Sequence, residues 1–119
     1  MKKMVFALTM IFGLNSHAAR MLVVNQTNDA VLAGVDYFDI NAGHVVETPD
    51  FGVPARQSQS RDIGSHEADK RYFAMWQVKS VNGQIFCQGD QSYIFANETL
   101  EVKVSGSPAS GEVYCKSNR

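Results

Sequence analysis

Turn-forming residues punctuate this chain roughly every 8 to 15 residues, and the runs between them are short and apolar or alternating. That rhythm points to an all-β sandwich or barrel, because each run is long enough for a strand and too short for much else. Met21 to Asn25 (MLVVN) reads as a first strand, ended by the turn-rich NQTND. Val31 to Tyr37 (VLAGVDY) reads as a second, with Val31, Ala33, Val35 and Tyr37 sharing one face. Beyond Tyr37 the alternation slips. Asp39 falls on the inward side while Phe38 and Ile40 point out, so a bulge near Tyr37 is expected to re-aim them.

His44 to Thr48 (HVVET) is a third run. The segment after it, PDFGVPA, carries Pro49, Gly52 and Pro54. Proline lacks a backbone donor, so this is a loop or a sheet edge. Arg56 to Ile63 (RQSQSRDI) is almost wholly polar, and a strand without an apolar face fits only at an edge or on a solvated sheet. YFAMWQVKSVNGQIFCQG reads as a hairpin closed by a two-residue type I′ turn at Asn82-Gly83. That register sets Lys79 opposite Phe86 and Val78 opposite Cys87. Trp76, Val78, Ile85 and Cys87 then share the core face, and Phe86 lies outside with Gln77 and Lys79. Ser65 to Val78 also has helix-compatible composition, and a helix over 66–77 would make the fold α+β. The strand is preferred because the hairpin needs extended chain on both sides.

GDQ is expected to turn the chain into SYIFA, and Asn97-Glu98 to turn it again. In TLEVKVS, Leu100, Val102 and Val104 point in while Glu101 and Lys103 point out. Gly106 to Gly111 (GSPASG) reads as a flexible turn, and EVYCK ends the pattern with Val113 and Cys115 on one face. The total is about eight short strands in a small antiparallel sandwich.

The N-terminal segment lies outside this pattern. Lys2 and Lys3 precede an apolar run, Met4 to Leu14, and Ser16 and Ala18 occupy the small-residue positions that a signal peptidase reads. The run falls short of the roughly 20 apolar residues of a membrane span, and no other stretch is apolar enough for one. Cleavage is expected after Ala18, with Ala19 next best. The chain then divides into a signal peptide, 1–18, and a single domain, 19–119. This places the protein outside the inner membrane, in the periplasm or the extracellular space. There, Cys87 and Cys115 are expected to pair, the rival being two unpaired buried thiols. In a eukaryotic source NQT at Asn25 and NET at Asn97 would match the N-glycan acceptor pattern.

Without its signal the chain holds nine basic and twelve acidic residues. A nucleic-acid partner calls for a basic stripe, which is absent. The densest cluster of chemistry is GSHEADKRY, with His66, Glu67 and Asp69. HEADK departs from the zinc-protease pattern at Lys70, where a second histidine belongs, so no metal is expected. No serine sits in a Gly-x-Ser-x-Gly elbow, and no glycine-rich phosphate loop occurs. The expectation is a non-enzyme without cofactor. A small hydrolase using His66 with Glu67 or Asp69 stands as the enzymatic alternative.

Val104 to Tyr114 (VSGSPASGEVY) resembles the Ser-rich signature of periplasmic lysozyme inhibitors of the MliC type. Those are small exported β-barrels with a disulfide, so the resemblance implies an inhibitor of a secreted enzyme. The residues themselves point to an exported binding protein whose partner is an envelope or extracellular protein or a glycan. Loops on a rigid scaffold commonly carry function. A binding surface is therefore sought at Phe51, Arg56, His66, Glu67 and Asp69, with Phe86 from the outward aromatic set.

Overall fold

The computed structural model describes residues 18–39, 43–63, 71–95 and 97–119. The expected signal segment up to His17, and His66, Glu67 and Asp69, lie outside them. Nine strands form two stacked sheets. They are β1 (Ala19–Asn25), β2 (Val31–Asp39), β3 (His44–Glu47), β4 (Phe51–Val53), β5 (Ser58–Ile63), β6 (Arg71–Lys79), β7 (Ile85–Phe95), β8 (Thr99–Ser107) and β9 (Glu112–Ser117). The smaller sheet runs β5-β1-β8-β9. The larger runs β3-β2-β6-β7, with β4 pairing β2 beside β3. The pairings are antiparallel except β1 with β8, which is parallel. No α-helix occurs among the described residues, and Arg71–Lys79 is strand, so the helix considered for 66–77 does not form there.

Alternation builds the core. Met21 and Val23 of β1 and Leu100, Val102 and Val104 of β8 face Val31, Ala33 and Val35 of β2 and Tyr72, Ala74, Trp76 and Val78 of β6. Ile63, Val53 and Ile94 complete the layer. Cys87 on β7 and Cys115 on β9 are disulfide-bonded, with Cα atoms 6.3 Å apart, and both pack against this core. The bond therefore ties one edge of the larger sheet to one edge of the smaller. The polar β5 takes the opposite edge of the smaller sheet, where only Ile63 at its end is buried.

The structure departs from the expected pattern in several places. No bulge interrupts β2 near Tyr37: it pairs β6 without a break from Leu32 to Asp39. Phe38 stays on the outer face and Asp39 sits half-buried at the strand end. The β6–β7 hairpin is one residue longer than a type I′ turn. Ser80 N–H donates to Gln84 O and Gly83 N–H to Ser80 O, enclosing Val81, Asn82 and Gly83. Gly83 takes φ 95° while Asn82 keeps a negative φ. Ser80 Oγ accepts from the N–H groups of Asn82 and Gln84, which favours this turn. A bulge at Val78/Lys79 then restores Val78 opposite Cys87 and pairs Lys79 with Ile85. Phe86 is consequently turned to pack against the core and Ile85 is left exposed, the reverse of the expected assignment.

GDQ is not a turn. It lies within the continuous β7, at a second irregularity between Ala74–Ser92 and Trp76–Gly89. GSPASG is likewise ordered. Strand β8 extends to Ser107, and Pro108–Ser110 form one 3-10 turn capped by Ser107 and ended by Gly111 at φ 80°. Asn25 is 1% exposed, and its amide donates to Val53 O at 3.1 Å and Pro54 O at 3.2 Å. That burial leaves no space for a glycan on Asn25.

Candidate functional site

The two outer faces differ in kind. The smaller sheet exposes mixed charge and hydroxyls, such as Ser58, Ser60, Asp62 and Lys103. The larger sheet exposes apolar and acidic groups. Of the seven large apolar side chains exposed among the described residues, Val45, Met75, Ile85, Tyr93 and Phe95 lie on its outer face. The reason is register. With Val35, Tyr72, Ala74 and Trp76 committed to the core, strict alternation turns Asp36, Phe38, Phe73 and Met75 outward.

Cross-strand pairing gathers four of these outward side chains into a row. Val45 of β3 lies opposite Phe38 of β2, Phe38 opposite Phe73 of β6, and Phe73 opposite Tyr93 of β7. The Phe73 and Tyr93 rings are 4.8 Å apart and tilted by 41°. Tyr93 is 53% exposed and Val45 51%. Along the strands from this row, the same face opens into a groove of about 640 Å³ whose lining includes Gly34, Asp36, Glu47, Asp50, Met75 and Gln88.

Local structure explains the groove. Strands β3 and β4 are two parts of one interrupted edge. β3 pairs the second half of β2 and β4 the first half. Thr48, Pro49 and Asp50 bridge them with one residue too many, opposite Gly34 and Val35. The excess chain rises over the face and is pinned by Thr48, whose hydroxyl donates to Val35 O. Gly34 supplies the depression beneath, since a Cβ there would collide with the Asp50 carboxylate. Asp50 reaches across to Lys79 Nζ at 2.7 Å. On the far side the Gln77 amide meets Gln88 Oε1 at 3.5 Å.

Among the described residues, three carboxylates thus face the groove, against one ammonium already paired. Asp36 and Glu47 are direct cross-strand partners. Like charges in that position oppose one another by about 0.2–1 kcal/mol. No set of three or more His, Cys, Asp or Glu side chains converges as a metal site among the described residues.

The surface sought from sequence is distributed differently. Phe51 in β4 packs against the core and lies 4.9 Å beneath the Arg61 guanidinium. Arg56 is exposed at φ 62° and donates to Asn28 Oδ1 at 3.0 Å. Phe86 belongs to β7, at the opposite edge of the larger sheet from Phe51. The structure does not bring these three together. What sequence reasoning missed is the row and the groove. The only advance signal was the count of outward aromatics, because the pairing of β2 with β6 joins distant segments.

No family model matches this chain, and a search of curated proteins finds no match to it. No helix among the described residues is long and apolar enough to cross a membrane.

Proposed function

We propose that this chain is a small exported binding protein, not an enzyme, and that it engages its partner through the outer face of the larger sheet. The observation that carries this reading is the continuity of the acidic groove with the Val45–Phe38–Phe73–Tyr93 row. Exposed apolar side chains gathered on one face, beside polar groups, favour recognition of a partner. The sandwich below, stapled by Cys87 and Cys115, holds that face rigid.

The test compares residues 19–119 with the double variant Met75→Glu, Tyr93→Ala for binding to fractionated envelope glycan and envelope protein. Both substituted side chains are exposed, so the thermal midpoint is expected to stay within a few degrees. Binding by the native chain and its loss in the variant is the expected result. Equal binding by the two would refute the assignment of this face. Turnover of a hydrolase substrate panel that disappears in His66→Ala and Glu67→Ala would replace the reading with an enzymatic one.

A further inference from the structure

We propose that the groove on the larger sheet holds a glycan chain that carries no acidic groups. This rests on the reading of that face as the binding surface and names the chemistry of its ligand. The groove's volume of about 640 Å³ lies in the range of about 300–1,000 Å³ typical of small-ligand sites, and a sugar chain can enter such a space in sections. Its walls are rich in acceptors. Asp36, Glu47 and Asp50 present carboxylate oxygens, and Gln77 and Gln88 present amides. Sugar hydroxyls are donors, and a donor meeting a carboxylate forms a charge-assisted bond about twice as strong as a neutral one.

The aromatic row supplies the complementary surface. A pyranose ring has a face of C–H bonds, which carry slight positive charge, and the face of an aromatic ring is negative. Phe73 lies two positions along β6 from Met75 in the groove lining, and its partner Tyr93 lies four along β7 from Gly89, so one chain can lie on the rings and extend its hydroxyls to the acids.

Charge selects among glycans. With Lys79 already bonded to Asp50 at 2.7 Å, the described lining of the groove carries a net negative charge. Asp36 and Glu47 remain opposed across the β2–β3 pairing. Keeping two like charges opposite one another weakens the sheet, and a ligand rich in donors relieves the repulsion. Polyuronates and phosphorylated polymers would add to it. A nucleic acid is disfavoured for the same reason. A flat protein partner needs roughly 800 Å² on each side and draws little from a polar recess.

The experiment is isothermal titration of residues 19–119 with three defined oligomers: N-acetylglucosamine, glucosamine and galacturonate chains. A basic protein, cytochrome c, serves as the comparison. The N-acetylglucosamine or glucosamine oligomer is expected to bind. Affinity should fall roughly tenfold in Tyr93→Ala, the scale of one aromatic contact. It should fall by a similar factor in Glu47→Gln, which keeps the shape and removes the charge. Galacturonate binding equal to that of the neutral oligomer would overturn the charge argument. Binding of cytochrome c that depends on Tyr93, without binding of any saccharide, would make the face a protein surface. The glycan proposal then fails while the binding-face reading stands. Absence of every Tyr93-dependent interaction, here and in the envelope fractions, would sink both.

Discussion

Gly89 shows how one missing side chain sets a local structure. It pairs with Trp76 across β6 and β7, and a Cβ at this position would approach the indole to 2.5 Å. Trp76 is 6% exposed and fills the inner face there. Replacing Gly89 with Ala forces the ring off its position, and overpacking of this kind costs about 1–3 kcal/mol. The urea midpoint of Gly89→Ala should fall accordingly, with a change in the fluorescence of the chain's single tryptophan. An unchanged midpoint and spectrum would show that the ring shifts without cost. Gly89 was readable from sequence only as part of a turn. Nothing local indicates that the indole of a residue on the partner strand occupies the space its side chain would take. Trp76 itself was legible as core, because alternation with Val78 and Ala74 needs no knowledge of partners. Asn25 is the converse case. Its place in a turn-rich stretch was legible, but its three acceptors, Asp29 O, Val53 O and Pro54 O, come partly from a distant loop.

At the scale of elements, strands were legible and their joints were not. The faces of β2 and β8 follow from period-two alternation, and the place of polar β5 at an edge follows from its lack of an apolar face. Arg61 and Asp62 place charges on this edge strand, which discourages pairing with other chains. The departures in the β6–β7 hairpin fall at bulges, where one added residue exchanges the two faces. Ile85 and Phe86 trade places because the loop holds three residues instead of two. The same sensitivity makes the cross-link important. The bulged β7 is an edge strand held from its core side by the Cys87–Cys115 bond to β9, across a sequence separation of 28. Closing such a loop restricts the unfolded chain by about 3.6 kcal/mol in the entropy model. The Cys87→Ser, Cys115→Ser double variant should lose stability of that order in urea, and thiol titration of the unfolded, unreduced native chain should find no free group. Two reactive thiols per molecule would refute the pairing, and a double variant as stable as the native chain would show that the two edges stay together without it.

At the scale of the molecule, the parallel pairing of β1 with β8 joins the start of the described chain to residues near its end. It is the pairing that joins the β5–β1 half of the smaller sheet to the β8–β9 half. The full sheet cannot assemble until residues 99–107 are present. The same placement bears on the expected cleavage after Ala18. Ala18 is 1% exposed and Ala19 fully buried, with Ala19 paired to Ile63 and Arg20 N–H donating to Glu98 O at 3.1 Å. A peptidase needs extended, accessible backbone at the scissile bond, so in a folded chain it acts only after the start of β1 peels away. On the proposed cleavage, processing therefore has to precede folding. Signal peptidase in detergent micelles should cut the unfolded full-length chain rapidly and leave Ala19, or Arg20, as the new terminus in N-terminal sequencing. The same chain, refolded first, should be cut at a rate that rises with urea, as β1 opens. Equal rates for the two preparations in the absence of urea would mean that the first strand is not held where its neighbours β5 and β8 place it.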